Sequence, residues 1–186
     1  FHLSKMVFMQ KIYFSLLFLV LSFGAIQAGN PDRQGEAGAY ELLMDPWART
    51  AGLHSMSTSL VRGVEAMNLN VAGLVRINKL DFGFGSTQYL RGTGINLSSA
   101  AVSAKIGKSS VMGLSLMAVD FGDIEVTTTN QPEGTGATYS PSFFNLGFAY
   151  AHEFENKVSV GLLLRVVSES LANVSAFGFG IDAGVQ

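Results

Sequence analysis

The chain has 186 residues, 48% of them hydrophobic and only 14% charged, with a formal net charge of −2. So few charges cannot cover an ordinary soluble domain, where they make up about 25% of residues, and the near-neutral balance lacks the basic footprint of a nucleic-acid binder. The absence of cysteine excludes a disulfide framework and a thiolate metal site.

Residues 1–28 read as a secretory signal peptide. Phe1 is not a usual initiator, and Met6 or Met9 is the expected start. Lys11 supplies the positive region before an apolar run from Ile12 to Phe23, interrupted by two serines. Gly24 to Ala28 offers the small residues of a cleavage site. The run is shorter than the roughly 20 residues of a spanning helix, so removal is expected rather than anchoring.

Residues 29–76 have a different texture, with Pro31, Pro46, Trp47 and charges that include Asp45, Arg49, Arg62 and Glu65. Pro46 is expected to begin a short helix capped by Asp45, because proline suits a first helical turn. Leu53, Met56 and Leu60 would form its apolar stripe. Two readings stay open: a periplasmic tail or ordinary packed helix, or a hatch folded into a barrel mouth.

From residue 77 onward the apolar pattern has period two, the mark of half-buried strands. Leu80, Phe82 and Phe84 alternate with Asp81, Gly83 and Gly85. Between Ile95 and Ile106 the phase slips, and a β-bulge near Ser99 to Ala101 is expected. Met112, Leu114, Leu116 and Ala118 share one side of the next strand. Phe144, Leu146, Phe148 and Tyr150 oppose Asn145, Gly147, Ala149 and Ala151; Val158 to Val166 and Phe177 to Val185 repeat the alternation. One face is bulky and apolar while the other is mainly Gly and Ala. The small face has too little charge to meet water, but it suits the inner side of a membrane barrel packed by a plug.

Connection lengths agree. Gly107 to Ser110 and Glu153 to Lys157 are short, whereas Gly122 to Pro141 is long and polar. Outer-membrane barrels alternate short periplasmic turns with long extracellular loops. The fold expected is therefore all-β: a transmembrane antiparallel β-barrel with an N-terminal hatch. Residues 77–186 form about six of its strands, fewer than the eight of the smallest single-chain barrels, and more strands are expected to follow.

Three blocks carry a family resemblance. Glu41-Leu42-Leu43 followed by Pro46, Ala48 and Arg49 is similar to an acid-Leu-Leu and Pro-x-x-Ala-Arg opening. Asn68 to Leu74, with Asn70 and Gly73, is similar to an Asn-Pro-Ala-Gly-Leu block, although Val71 replaces the proline. Gly161 to Gln186 is similar to a hairpin with a basic residue, Arg165, before the loop and a strand ending in Asp182-Ala183-Gly184. In this order the blocks resemble the PorV/PorQ family of Bacteroidota outer-membrane proteins, related in fold to the FadL fatty-acid transporters. Gly52-Leu53-His54-Ser55 departs from the family's Gly-rich stretch. The resemblance implies a FadL-like barrel of about fourteen strands, within the known range for such barrels. It also implies a place in type IX protein secretion, where such proteins take cargo from the SprA translocon to a surface attachment complex.

No chemistry-bearing constellation competes. His2, His54 and His152 are isolated, without ligand spacing. The chain has no Gly-x-Ser-x-Gly elbow, and its two Gly-Phe-Gly runs lack the setting of a dinucleotide loop. Asp120, Asp123 and Glu125 do not fit calcium-loop spacing and read as a solvated acidic loop. Arg165 and Asp182 fall in the inward phase, away from lipid, and read as structural anchors; a simple hairpin register leaves them out of line. The expectation is a non-enzymatic protein with no cofactor or metal. Its partners would be outer-membrane lipid and, through the resemblance, the translocon, the attachment complex and secreted cargo. The alternative is a FadL-like transporter of hydrophobic compounds, for which inward Leu163 and Val167 are the apolar lining.

Overall fold

The computed structural model describes residues 38–186, so the expected signal peptide lies outside the described residues. Residues 39–186 form one compact unit. Its main body is an open antiparallel sheet of six strands: β1 (Leu80–Gln88), β2 (Asn96–Ile106), β3 (Ser110–Asp120), β6 (Ser142–Glu153), β7 (Ser159–Leu171) and β8 (Val174–Val185). Neighbours in the sheet follow chain order, with no crossover. The long loop folds back on itself through β4 (Ile124–Glu125) and β5 (Thr138–Tyr139), a small separate two-stranded sheet.

Register decides what each face presents. Across all six strands, Ile181, Leu164, Phe148, Leu114, Val102 and Phe82 lie in one row on the outward face. The row on one side is Phe179, Val166, Leu146, Leu116, Ala100 and Phe84; the row on the other is Ala183, Leu162, Tyr150, Met112, Ala104 and Leu80. Towards the long loop the same face ends in a row without an apolar member: Ser175, Ser170, Ser142, Asp120, Asn96 and Gln88. Most of the bulky members of the three apolar rows are exposed, Phe82 and Phe84 at 79%.

The expected bulge in β2 does not occur. Asn96 to Ile106 pairs without interruption with both neighbours. The slip in the apolar pattern arises because the inner face changes character with height. Near the long-loop end Leu97 points inward with Met117, Val119, Phe143 and Val167, where Leu42 and Met44 pack against them. Further down, Ser99, Ala101 and Ser103 are the buried residues of β2, and Val102 and Ile106 are on the exposed side.

Both turns expected to be short join strands at one end of the sheet, and residues 122–141 lie at the other. At that second end the connection from β7 to β8 is also short, only Ala172 and Asn173. Loop length thus alternates over the first five strands of the main sheet and not at the last hairpin.

The N-terminal part of the unit is a series of single turns: 3-10 turns at Tyr40–Leu43, Gly63–Glu65 and Val71–Val75, and short helices α1 (Ala48–Gly52) and α2 (Ala66–Leu69). The helix expected from Pro46 starts two residues later. Asp45 still organises it, accepting the Trp47 N–H at 3.1 Å and the Thr50 and Ser55 hydroxyls at 2.8 and 3.0 Å. The expected apolar stripe is not formed, since α1 ends at Gly52 and Leu53, Met56 and Leu60 are exposed. Five helical residues are too few to sustain a stripe, and isolated helices this short owe their existence to packing. No helix among the described residues is long and apolar enough to cross a membrane, a fact that does not bear on strands.

Candidate functional site

The N-terminal segment packs against the inward face of the sheet, and the contact is made where the strands carry glycine. A β-carbon at Gly83 would fall 2.9 Å from the Trp47 ring, and one at Gly85 2.8 Å from the Pro46 carbonyl oxygen. At Gly113 it would meet the Met67 sulfur at 2.7 Å, and at Gly161 the backbone of Val71 and Ala72, also at 2.7 Å. The core is thus shared: Trp47, Val64, Met67, Val71, Leu74 and Val75 from the segment join Ala101, Val111, Ala149, Ala151 and Leu163 from the strands. Strand glycines thus admit a ring at Gly83 and a thioether at Gly113, and let backbone approach backbone at Gly85 and Gly161, the use of glycine in a strand wherever other groups come close. From residue 38 onward the N-terminal segment lies packed on the sheet.

Of the residues singled out in the sequence, Pro46 and Asn70 take part in this contact, Gly73 packs within the segment and Arg49 stays at its surface. Pro46 is buried, with the Ser99 hydroxyl 3.5 Å from its carbonyl oxygen. Gly73 has no room for a side chain, because a β-carbon there would overlap the Val61 carbonyl. Asn70 joins three pieces of chain: its amide nitrogen donates to the Thr58 and Val185 carbonyls, each at 3.0 Å, and its oxygen accepts the Ala72 N–H at 3.2 Å. Arg49 is exposed and stands 3.7 Å from Glu65. Such a pair contributes about 0–1 kcal/mol at most. Burial raises the Glu65 carboxyl above its ordinary range; nearby Arg49 opposes the rise, and Asp45 and Asp81 add to it.

Arg165 and Asp182 are brought together. Arg165 pairs with Gly180 and Asp182 with Leu163, so the two charges are diagonal neighbours on the inward face. Glycine on both sides of Arg165, Gly147 and Gly180, leaves its long side chain free to reach across. Its Nε donates to Asp182 Oδ2 at 2.5 Å, and its Nη2 donates to the Met67 carbonyl at 3.0 Å. That reach closes the offset that a simple hairpin register leaves between the two charges. Arg165 is 11% exposed and Asp182 46%. Replacing Asp182 by Asn is therefore expected to cost about 1–3 kcal/mol, below the range for a fully buried pair because water reaches the carboxylate. A urea midpoint in detergent, compared with that of Arg165→Gln and of the double variant, measures it. Additive effects would show that the pair does not act as one.

Sequence reasoning missed three contributors. Asp81 accepts the Val64 N–H at 2.9 Å and so fastens the segment to β1. Trp47, the only tryptophan, is buried at 7% beside Gly83 and anchors the segment on β1. Gln186 donates to the Ser59 and Val61 carbonyls at 2.7 and 3.3 Å, holding the segment beside β8 together with Asn70. A single Trp followed by strand glycines was the available signal.

Other candidates are not brought together. His54 lies after α1, while His152 bonds the Ser110 hydroxyl through Nδ1 at 2.8 Å. Asp120 accepts the Gly122 N–H at 2.9 Å and Asp123 accepts the Ser140 hydroxyl, both as loop-closing contacts. Among the described residues no three His, Asp or Glu side chains converge as a metal site. Leu163 and Val167, the apolar lining required of a transport channel, are covered, at 0% and 7% exposure. No protein-family model matches the chain, and no curated protein matches it.

Proposed function

We propose that this chain is part of an outer-membrane β-barrel, FadL-like and of about fourteen strands when closed, with residues 29–76 as its hatch. The observation that carries this is the outward face. Three unbroken apolar rows over six strands cover roughly 600 Å² even when taken flat, from strand and row spacings. That equals the largest apolar patch of an ordinary soluble monomer before the relief of Phe and Leu side chains is counted. Lipid is the solvent that matches it. The length agrees as well. From the polar row at Ser142 to the Ser110–His152 row is ten residues, roughly 34 Å along a strand. Inclined at 35–45°, that projects to about 24–28 Å, close to the apolar band of outer-membrane barrels. Closure by further strands follows from the physics of lipid, which does not tolerate an open sheet edge.

Within that setting we assign a non-enzymatic role in type IX secretion of the PorV/PorQ type: receiving cargo at the translocon and passing it to the attachment complex. This rests on the three sequence blocks, of whose residues Pro46, Asn70, Arg165 and Asp182 serve the contact between hatch and sheet, while Gly73 packs inside the hatch. The covered Leu163 and Val167 weigh against a hydrophobic channel. Deleting the gene is expected to leave signal-bearing cargo in the periplasm. Normal cargo export combined with lost uptake of labelled fatty acid would replace this role with transport.

A further inference from the structure

The two short turns stand side by side, because β3 and β6 are neighbours and the Glu153 N–H donates to the Ser109 carbonyl at 2.8 Å. Between them lies a groove of about 770 Å³ whose lining includes Lys108, Lys157, Glu153, Glu155, His152 and Phe154. Both signs of charge are present in pairs. On the outward face beside it, the Ser110 hydroxyl bonds His152 Nδ1 at 2.8 Å and the Tyr150 hydroxyl at 3.0 Å. Phe154 meets the His152 ring edge-to-face at 4.9 Å. Rings with one apolar side and one polar tip gather where acyl chains give way to headgroups. The adjacent row, with Tyr150, Met112 and Leu162, is the first of the apolar rows.

We infer that this groove seats the headgroup of a zwitterionic phospholipid bearing a primary ammonium, its acyl chains lying along the neighbouring apolar rows; this rests on the outer-membrane reading above. Lys108 and Lys157 face the phosphate and Glu153 and Glu155 face the ammonium. A carboxylate takes hydrogen bonds from the N–H donors of a primary ammonium. A quaternary ammonium has no N–H to give, and an anionic glycerol headgroup leaves the carboxylates unpaired. The Lys157–Glu153 pair, 3.5 Å apart with the lysine 86% exposed, is of the weak surface kind and exchanges readily for lipid contacts.

The test reconstitutes the full chain into phosphatidylcholine vesicles containing an equal minor fraction of phosphatidylethanolamine or of phosphatidylglycerol. Lipid retained through detergent extraction is then measured by mass spectrometry. Two ion-pair contacts, each worth a factor of two to five, predict about tenfold enrichment of phosphatidylethanolamine over both other lipids. Glu153→Gln with Glu155→Gln lowers that enrichment several-fold, whereas Lys108→Gln with Lys157→Gln lowers the retention of all three phosphate-bearing lipids and leaves the enrichment in place, while insertion persists in both. Equal retention of all three lipids, or preference for phosphatidylglycerol, overturns the inference and leaves the membrane reading standing. A chain that enters no vesicle overturns both.

Discussion

Gly161→Val is expected to detach the N-terminal segment from the sheet and to lower stability by about 3 kcal/mol or more, the upper end for overpacking. The cause is that the obstacle is backbone. A β-carbon at Gly161 would stand 2.7 Å from the Val71 carbonyl carbon and from the Ala72 nitrogen, and neither can rotate away as a side chain would. The 3-10 turn at Val71–Val75 is buried throughout, so it has no free side to move towards without opening the shared core. Gly178→Ala is the control, because a β-carbon there meets nothing within 4 Å. It is expected to be neutral, or slightly stabilising through the unfolded chain. Urea titration in detergent gives the stabilities, and limited proteolysis across residues 48–76 reports detachment. Equal stability of the two variants would show that the segment does not dock on the strand glycines.

Leu114→Arg separates a lipid-facing sheet from a soluble one by the size of its effect. Leu114 lies in the middle apolar row, 40% exposed. In a bilayer, Arg at that depth costs about 2–4 kcal/mol. On the solvent face of a soluble sheet the same change stays within about 0.5 kcal/mol. Gln88→Arg, in the polar row of the same face, is expected to cost about 0–1 kcal/mol, as near a membrane interface. Folding yield into vesicles across a urea series measures the difference. A neutral Leu114→Arg, with the protein folded and monomeric in buffer, would end the membrane reading and the secretion role with it.

How much was readable beforehand follows from which interactions are local. Strand positions and face assignment were legible in β1, β3, β6, β7 and β8 because side chains alternate across a strand whatever its neighbours are. Phe144, Phe148, Leu164 and Ile181 lie on the face their spacing assigned them. In β2 the same reasoning produced a bulge that is not there. Leu97 and Val102 are both apolar for different reasons, one covered by the N-terminal segment and the other on the outward face, and no local rule distinguishes those environments. The segment itself was least legible. Its helices are four and five residues long, too short for periodicity to accumulate, so Leu53, Met56 and Leu60 imitated a stripe without a helix beneath them.

Of the candidate site, the parts were legible and their assembly was not. Composition and alternation determine that this chain makes strands with one bulky apolar face and one face of Gly and Ala, since those properties depend only on residue type and period. Which side chains fill the space above Gly83 and Gly113, which backbone fills it above Gly161, and that Arg165 spans the diagonal to Asp182 while holding the Met67 carbonyl, is decided by tertiary structure. Those contacts join residues as much as 98 positions apart. Their geometry depends on strand register and on how closely two backbones approach, quantities that sequence spacing does not encode.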